Sequence, residues 1–153
     1  MMIDLSALEQ YRESNRLEAK KALGGLPHSI WETYSAFANT YGGLILLGVE
    51  EWPDRSLHPV NLPDPEGMVR EFREKLRDPK MVSADILSED DVRIEEADGC
   101  RIIVIDVPQA GRRDRPVYIF GDPYNGSYYR SGDGDFRFTR EETEELLLAA
   151  TEN

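Results

Sequence analysis

The chain predicts a mixed α/β (α+β) fold in a single domain: one mixed β-sheet with flanking helices. Three observations predict it. A segment of helical period ends in paired glycines and is followed at once by the apolar run 44–49 (LILLGV), whose lack of polar alternation suits a central strand covered on both faces. Later, 92–96 and 101–107 flank Ala97-Asp98-Gly99, a hairpin signal. The chain has 153 residues, 40% apolar and 31% charged, which fits one hydrophobic core. Helix, glycines and buried strand in succession exclude an all-α bundle or a simple sandwich.

Taken in order, Leu5, Leu8 and Tyr11 are spaced along one face of a short first helix, and Glu13-Ser14-Asn15 favour leaving it. Residues 17–22 read either way, because Leu, Glu, Ala and Lys are good helix formers. Gly24-Gly25-Leu26-Pro27 break the chain. Beyond them Ile30, Tyr34, Phe37 and Tyr41 share a helical face, with Ser29 and Glu32 at capping-box spacing. Asn39 to Gly43 should end this helix, since Asn and Gly tolerate left-handed backbone.

After the strand at 44–49, residues 51–63 read as a polar, proline-punctuated loop. Asp64-Pro65 opens a helix carrying Met68, Phe72 and Leu76, which Asp78-Pro79 stops. The hairpin follows. Residues 117–120 and 127–130 then read as two short strands joined through the turn-rich segment 121–126, and Gly132-x-Gly134 reads as a further turn. Thr139 and Glu142 repeat the capping-box spacing before a last helix through Leu146 and Leu147.

Composition narrows the chemistry. Neither a secretory signal nor an apolar run long enough for a membrane span is visible, so a cytoplasmic protein with no membrane partner is expected. With one cysteine, Cys100, and two histidines, His28 and His58, neither an internal disulfide nor a Cys/His zinc cage can form. Cys100 reads as core packing. The formal charge of −12 opposes nucleic-acid binding by the whole surface. Residues 101–130, however, hold five arginines against three aspartates, so one edge can attract phosphate.

Several pieces occur in one order at close spacing: Glu13-Ser14, Leu17-Glu18-x-Lys20, Ser35-Ala36-Phe37-Ala38-Asn39-Thr40-x-Gly42-Gly43 and Leu46-Leu47-Gly48-Val49-Glu50. Lys80-Met81-Val82-Ser83, Ile105-Asp106-Val107-Pro108-x-Ala110-x-Arg112, Arg115-Pro116-Val117-Tyr118-Ile119 and Tyr129-Arg130-x-Gly132-Asp133-Gly134-Asp135-Phe136 continue the set. Together they resemble the Schlafen-type Alba-like (AlbA_2) domain, also described in terms of a divergent AAA-type ATPase and of DNA binding. The resemblance covers nearly the whole chain, with Asn39, Gly42 and Gly43 at its centre, and it favours a strand at 17–20. It departs from the usual pattern at Ala19, where the family has an aromatic, and at Glu50-Glu51, where an aspartate pair is usual.

What the resemblance implies divides in two. Bacterial relatives are N-terminal parts of transcriptional regulators, often followed by an ATP-binding or winged-helix region, so the chain is expected to be such a module of a longer protein. In vertebrate Schlafen proteins a similar domain belongs to an RNA-cleaving core. The catalytic carboxylates then carry over to Glu13 and Glu18, and the third to Glu50 or Glu51.

A metal-dependent nuclease needs carboxylates converging on a hard cation such as Mg or Mn, plus a fixed positive charge. Glu13, Glu18 and Glu50 supply the expected metal set, with Glu51 as the alternative, and Lys20 the charge; on a strand Glu18 and Lys20 share a face. A binding module would instead use Arg112, Arg113, Arg115 and Arg130 for phosphates and Tyr118, Tyr124, Tyr128 or Tyr129 for stacking. A third reading is an interaction or homo-oligomerisation module anchored by Trp31, Trp52 or Phe136. An ATPase is not expected within the chain, which has no phosphate-binding loop of Walker type. A triad from Ser35, His58 and Asp54 has no nucleophile-elbow pattern behind it.

Overall fold

The structure is a computed structural model in which residues 2–152 are described. Its centre is a four-stranded sheet in the order β1 (Leu17–Lys20), β2 (Gly43–Leu47), β6 (Cys100–Val107), β5 (Val92–Ala97). β1 runs parallel to β2, and the other pairs are antiparallel. Two hairpins complete the strands: β3 (Val49–Glu51) with β4 (Leu57–Pro59), and β7 (Tyr128–Ser131) with β8 (Gly134–Arg137). Helices α1 (Ile30–Asn39) and α2 (Pro65–Leu76) flank the sheet. A one-turn α3 (Pro123–Gly126) and the terminal α4 (Arg140–Thr151) follow.

β2 is buried at every position because both of its faces are covered. Ile45 and Leu47, with Ile103 and Ile105 of β6, pack under Trp31, Tyr34 and Phe37 of α1 and Phe72 of α2. Leu44 and Leu46, with Ile102 and Val104, pack against Leu8, Leu17, Val49 and Leu57. Burying one such large apolar side chain contributes about 1.5–3 kcal/mol, so this sandwiched sheet sets the position of everything attached to it. The uninterrupted apolar run is thus explained, and the strand at 17–20 forms despite its helical propensity, because pairing with β2 outweighs a local preference.

The glycines that end α1 are fixed by close approach. Gly42 has φ +73°, and a Cβ there would lie 2.7 Å from the Val107 carbonyl. At Gly43 a Cβ would meet the Arg16 carbonyl and the Phe37 ring, both at 2.9 Å. The last helix carries the capping box its sequence announces, with Glu142 N donating to Thr139 Oγ1 and Thr139 N to Glu142 Oε1.

The short first helix is a 3-10 segment, Leu5–Gln10. Four local expectations are corrected. Ser29 makes no side-chain cap and sits in helical backbone, its hydroxyl accepting instead from Lys20 Nζ at 3.0 Å; Tyr41, beyond the helix, is 65% exposed. The supposed loop 51–63 contains β4, which pairs with β3. Residues 117–120 form only isolated bridges, to Val82 and Ser127. At Val117 side chains replace a neighbouring strand: its N donates to Asn39 Oδ1, and its O accepts from Ser35 Oγ and Asn39 Nδ2. β7 therefore pairs with β8 across the Gly132 turn.

Asn39 is the bolt between α1, this segment and β7, since its Nδ2 also donates to Tyr128 O at 3.0 Å. Asn39→Ala leaves buried backbone groups without partners. The variant should lose about 3 kcal/mol of unfolding free energy, read from urea denaturation.

Candidate functional site

β1 is an edge strand, so its outward N–H groups have no strand partner. At Ala19 that donor is taken by Glu13, whose Oε2 accepts it at 2.9 Å. Glu13 leaves the first 3-10 segment and folds back over the strand through the Ser14 to Leu17 turn, closed by mutual backbone bonds. Glu18 and Lys20 project to the α1 side of β1, as alternation requires, while Leu17 and Ala19 pack with the opposite core. Glu51, at the end of β3, and Glu18 both stand close enough to Glu13 to perturb its carboxyl.

Three carboxyls from separate segments thus meet around Glu13. Burial, followed by the adjacent Glu18, pushes the Glu13 carboxyl up to about 7, although the Ala19 N–H works in the other direction. The Glu51 carboxyl is also raised, by partial burial and then by the charge of Glu13. Glu50 does not join them: its carboxylate lies 3.4 Å from Lys21 Nζ and accepts from Trp52 Nε1 at 3.1 Å. Neighbouring residues on a strand face opposite ways, and β3 turns the exposed Glu51, not Glu50, toward Glu13. The third carboxyl beside Glu13 and Glu18 is therefore Glu51, the alternative to Glu50 that the sequence left open.

Glu18 is already neutralised. Its Oε1 accepts from Arg130 Nη1 at 2.9 Å, and Lys20 Nζ stands 4.0 Å from its Oε2. Arg130 itself is enclosed, with no exposed side-chain surface. Its Nε and Nη2 donate to Ser14 O, Nη2 also to Leu17 O, and Nη1 to Glu18 and to Asp135 Oδ1. Burial by itself would lower its pKa, but Asp135 and Glu18 outweigh that and hold the guanidinium charged. All five donors are spent inside the domain, so Arg130 is corrected from a phosphate contact to an internal counter-ion.

With one oxygen of Glu18 held by Arg130 and Glu50 turned away, the residues do not fit a metal ion in this arrangement. Among the described residues, no group of three His, Cys, Asp or Glu side chains could hold one.

The remaining arginines behave differently. Arg112 and Arg113 are exposed on the 3-10 segment Arg112–Asp114, Arg112 Nη2 donating to the Glu152 carbonyl at 2.9 Å. Arg115 is half-buried, and its buried Nε has no hydrogen-bond partner. Of the tyrosines proposed for stacking, Tyr128 is buried and Tyr118, Tyr124 and Tyr129 are half-buried. Of the aromatic anchors, Trp31 is buried against Phe72, whereas Trp52 is 48% and Phe136 49% exposed. Cys100 is half-buried against the second core.

Ser35, expected as an imagined nucleophile, is locked in the core on Val117 O. Ser56 instead lies between Asp54 and His58, an arrangement the sequence reading missed although the three stand at alternate positions. It is not a hydrolytic triad, because the buried serine occupies the middle place that the histidine must hold.

The match to known proteins follows this geometry. A family model described as "Schlafen, AlbA_2" matches residues 13–139. The chain belongs to the Schlafen AlbA_2 family. Within the AlbA_2 match lie Glu13, Glu18, Glu51, Arg112 and Arg130. The solution NMR structure of the N-terminal domain of a protein from Nitrosomonas europaea, named as related to the ATP-dependent DNA helicase RecG, is similar. It shares 30% identity at TM-score 0.66, covering 90% of this chain and 95% of that one. The DIP2311 protein of Corynebacterium diphtheriae shares the fold at 16% identity and TM-score 0.55, over 90% of this AlbA_2 chain and 27% of its own length. A comparison with curated proteins gives no match. No helix among the described residues is long and apolar enough to cross a membrane.

The crowding at Glu13 has a pH signature. Its carboxyl titrates near 7 in the fold against 4.5 in the open chain, so the native state holds the proton more tightly. The resulting stabilisation is complete below the open-chain value and is lost as pH rises through the folded value. Glu13→Gln should flatten the stability profile between those values and be at least as stable as wild type above them, read from urea midpoints across pH.

Proposed function

We propose that this domain is a nucleic-acid-binding module acting as the N-terminal part of a larger regulatory protein, of the transcriptional-regulator type. The observation that carries the reading is the Arg112–Asp114 turn, which presents the two exposed guanidinium groups of Arg112 and Arg113 next to half-buried Arg115. Phosphate oxygens are the acceptors that such a cluster suits. Membership of the AlbA_2 family and likeness to the N-terminal domain of a helicase-related protein support it. The net charge of −12 confines attraction to this edge, so affinity from the isolated domain is modest and salt-sensitive.

Binding of a labelled single strand and a labelled duplex, followed by anisotropy over a salt series, tests this. Arg112→Ala combined with Arg113→Ala should weaken binding at low salt by about tenfold and make the log–log salt slope shallower by about 1.5. Binding that is indifferent to salt and to both substitutions sinks the reading.

Divalent-metal-dependent RNA cleavage is the second reading, favoured by the convergence of Glu13, Glu18 and Glu51 beside Lys20. It requires Glu18 to leave Arg130 before a Mg or Mn ion could be shared, because its oxygen is otherwise engaged. The Ala19 amide, bonded to Glu13, is a built-in reporter. If this reading holds, millimolar Mn²⁺ broadens that amide resonance in wild type and not in Glu13→Gln. An unchanged Ala19 signal throughout the titration rules it out.

A further inference from the structure

Trp52 is an exposed aromatic whose orientation the β3–β4 hairpin fixes through one hydrogen bond and one stacked ring. Its Nε1 donates to Glu50 Oε1, and its ring lies face to face with His58, the centroids 3.4 Å apart. Its backbone N donates to Ser56 O at 2.9 Å, and its carbonyl accepts from Arg55 N at 2.8 Å. Arg55 takes φ +71°, a left-handed conformation unusual for a residue other than glycine, to close this turn. His58 is held in its own right, with Nε2 2.6 Å from Ser56 Oγ, which donates in turn to Asp54 Oδ1 at 2.5 Å.

Packing does not demand this arrangement. Trp31 is 1% exposed and belongs to the core, whereas Trp52 remains 48% exposed with one face covered by His58. Its opposite face is a flat apolar surface that is already immobilised, so a planar ligand stacking on it costs little additional side-chain entropy. Nearby carboxylates are matched by cations: Glu50 by Lys21 at 3.4 Å and Asp133 by Arg55 at 3.6 Å, while Arg12 acts on Asp54. Glu51 shares Arg55 with Asp133 and lies beside Glu13, so the surface stays acidic on that side and a strand held here gains from stacking rather than from charge.

We propose that the free face of Trp52 stacks an unpaired nucleobase of a single-stranded nucleic acid, placing the adjoining backbone beside Arg55. The inference rests on the nucleic-acid reading above and adds the kind of strand and the residue that holds it. A single strand is the fitting occupant because a duplex hides the faces of its bases, and stacking accepts any base.

The chain's two tryptophans make the test selective, since only Trp52 is exposed. Emission and the anisotropy of a labelled strand are followed during titration with a short oligouridylate, an abasic oligomer of equal length, and an arginine-rich peptide. The oligouridylate should quench tryptophan emission and the abasic oligomer should not. Trp52→Phe should abolish the quenching while keeping most of the affinity, and Trp52→Ala should bind roughly ten- to a hundredfold more weakly. Unchanged Trp31 emission and far-ultraviolet dichroism in Trp52→Ala confirm its fold.

A strand that binds without quenching, and equally well to Trp52→Ala, overturns this inference and leaves the arginine reading standing. No binding of any oligomer at low salt overturns both. Quenching by the peptide alone overturns it in favour of a basic protein partner.

Discussion

A guanidinium has five N–H donors and no acceptor, and burying it is tolerated only where enough acceptors converge. Arg130 meets that condition on the inner face of β7 by drawing in the carbonyls of Ser14 and Leu17 and the carboxylates of Glu18 and Asp135. Asp135 is held from its other oxygen by Thr33 of α1, and the guanidinium lies 4.9 Å over the Phe37 ring. One side chain therefore ties the turn before β1, β1 itself, β8 and α1 into a single arrangement. Removing one member of such a buried set typically costs about 3–5 kcal/mol, because its partners are left charged and dry.

This constraint explains why an acidic cleft can exist at all. Three carboxyls brought together without compensation repel one another and lose hydration. Here Glu18 is matched by Arg130 and Lys20, Glu13 by the free edge N–H of Ala19, and the excess is carried as a tightened proton at Glu13. The cleft is thus balanced by internal cations and a proton, which is why the same residues do not present a ready site for a divalent ion.

Two surfaces lie outside this balance and have different character. The Arg112 to Arg115 turn offers charge with little shape, whereas the β3–β4 hairpin offers a rigid aromatic face. The first would give affinity that depends on salt, and the second would give preference for exposed bases.

Much of the fold was legible in the sequence, because buried strands, helix periods, the Asp98-Gly99 turn and the Thr139/Glu142 box are signals carried by neighbouring residues. The family could be named from the order of its motifs, and Glu13, Glu18 and Lys20 were legible as candidates in the same way. Which glutamate completed the cluster was not, since Glu50 and Glu51 differ only in the face to which β3 turns them. Nor could the sequence show that Arg130 is consumed internally, or that Ser56 rather than Ser35 meets His58. The fates of Glu51 and Arg130 depend on contacts between residues far apart in the chain, whereas Asp54, Ser56 and His58 meet within one short segment once its turn is formed. Composition and periodicity determine which side chains are available and which segments are buried; only the packed sheet decides which of them share one enclosed, low-dielectric space.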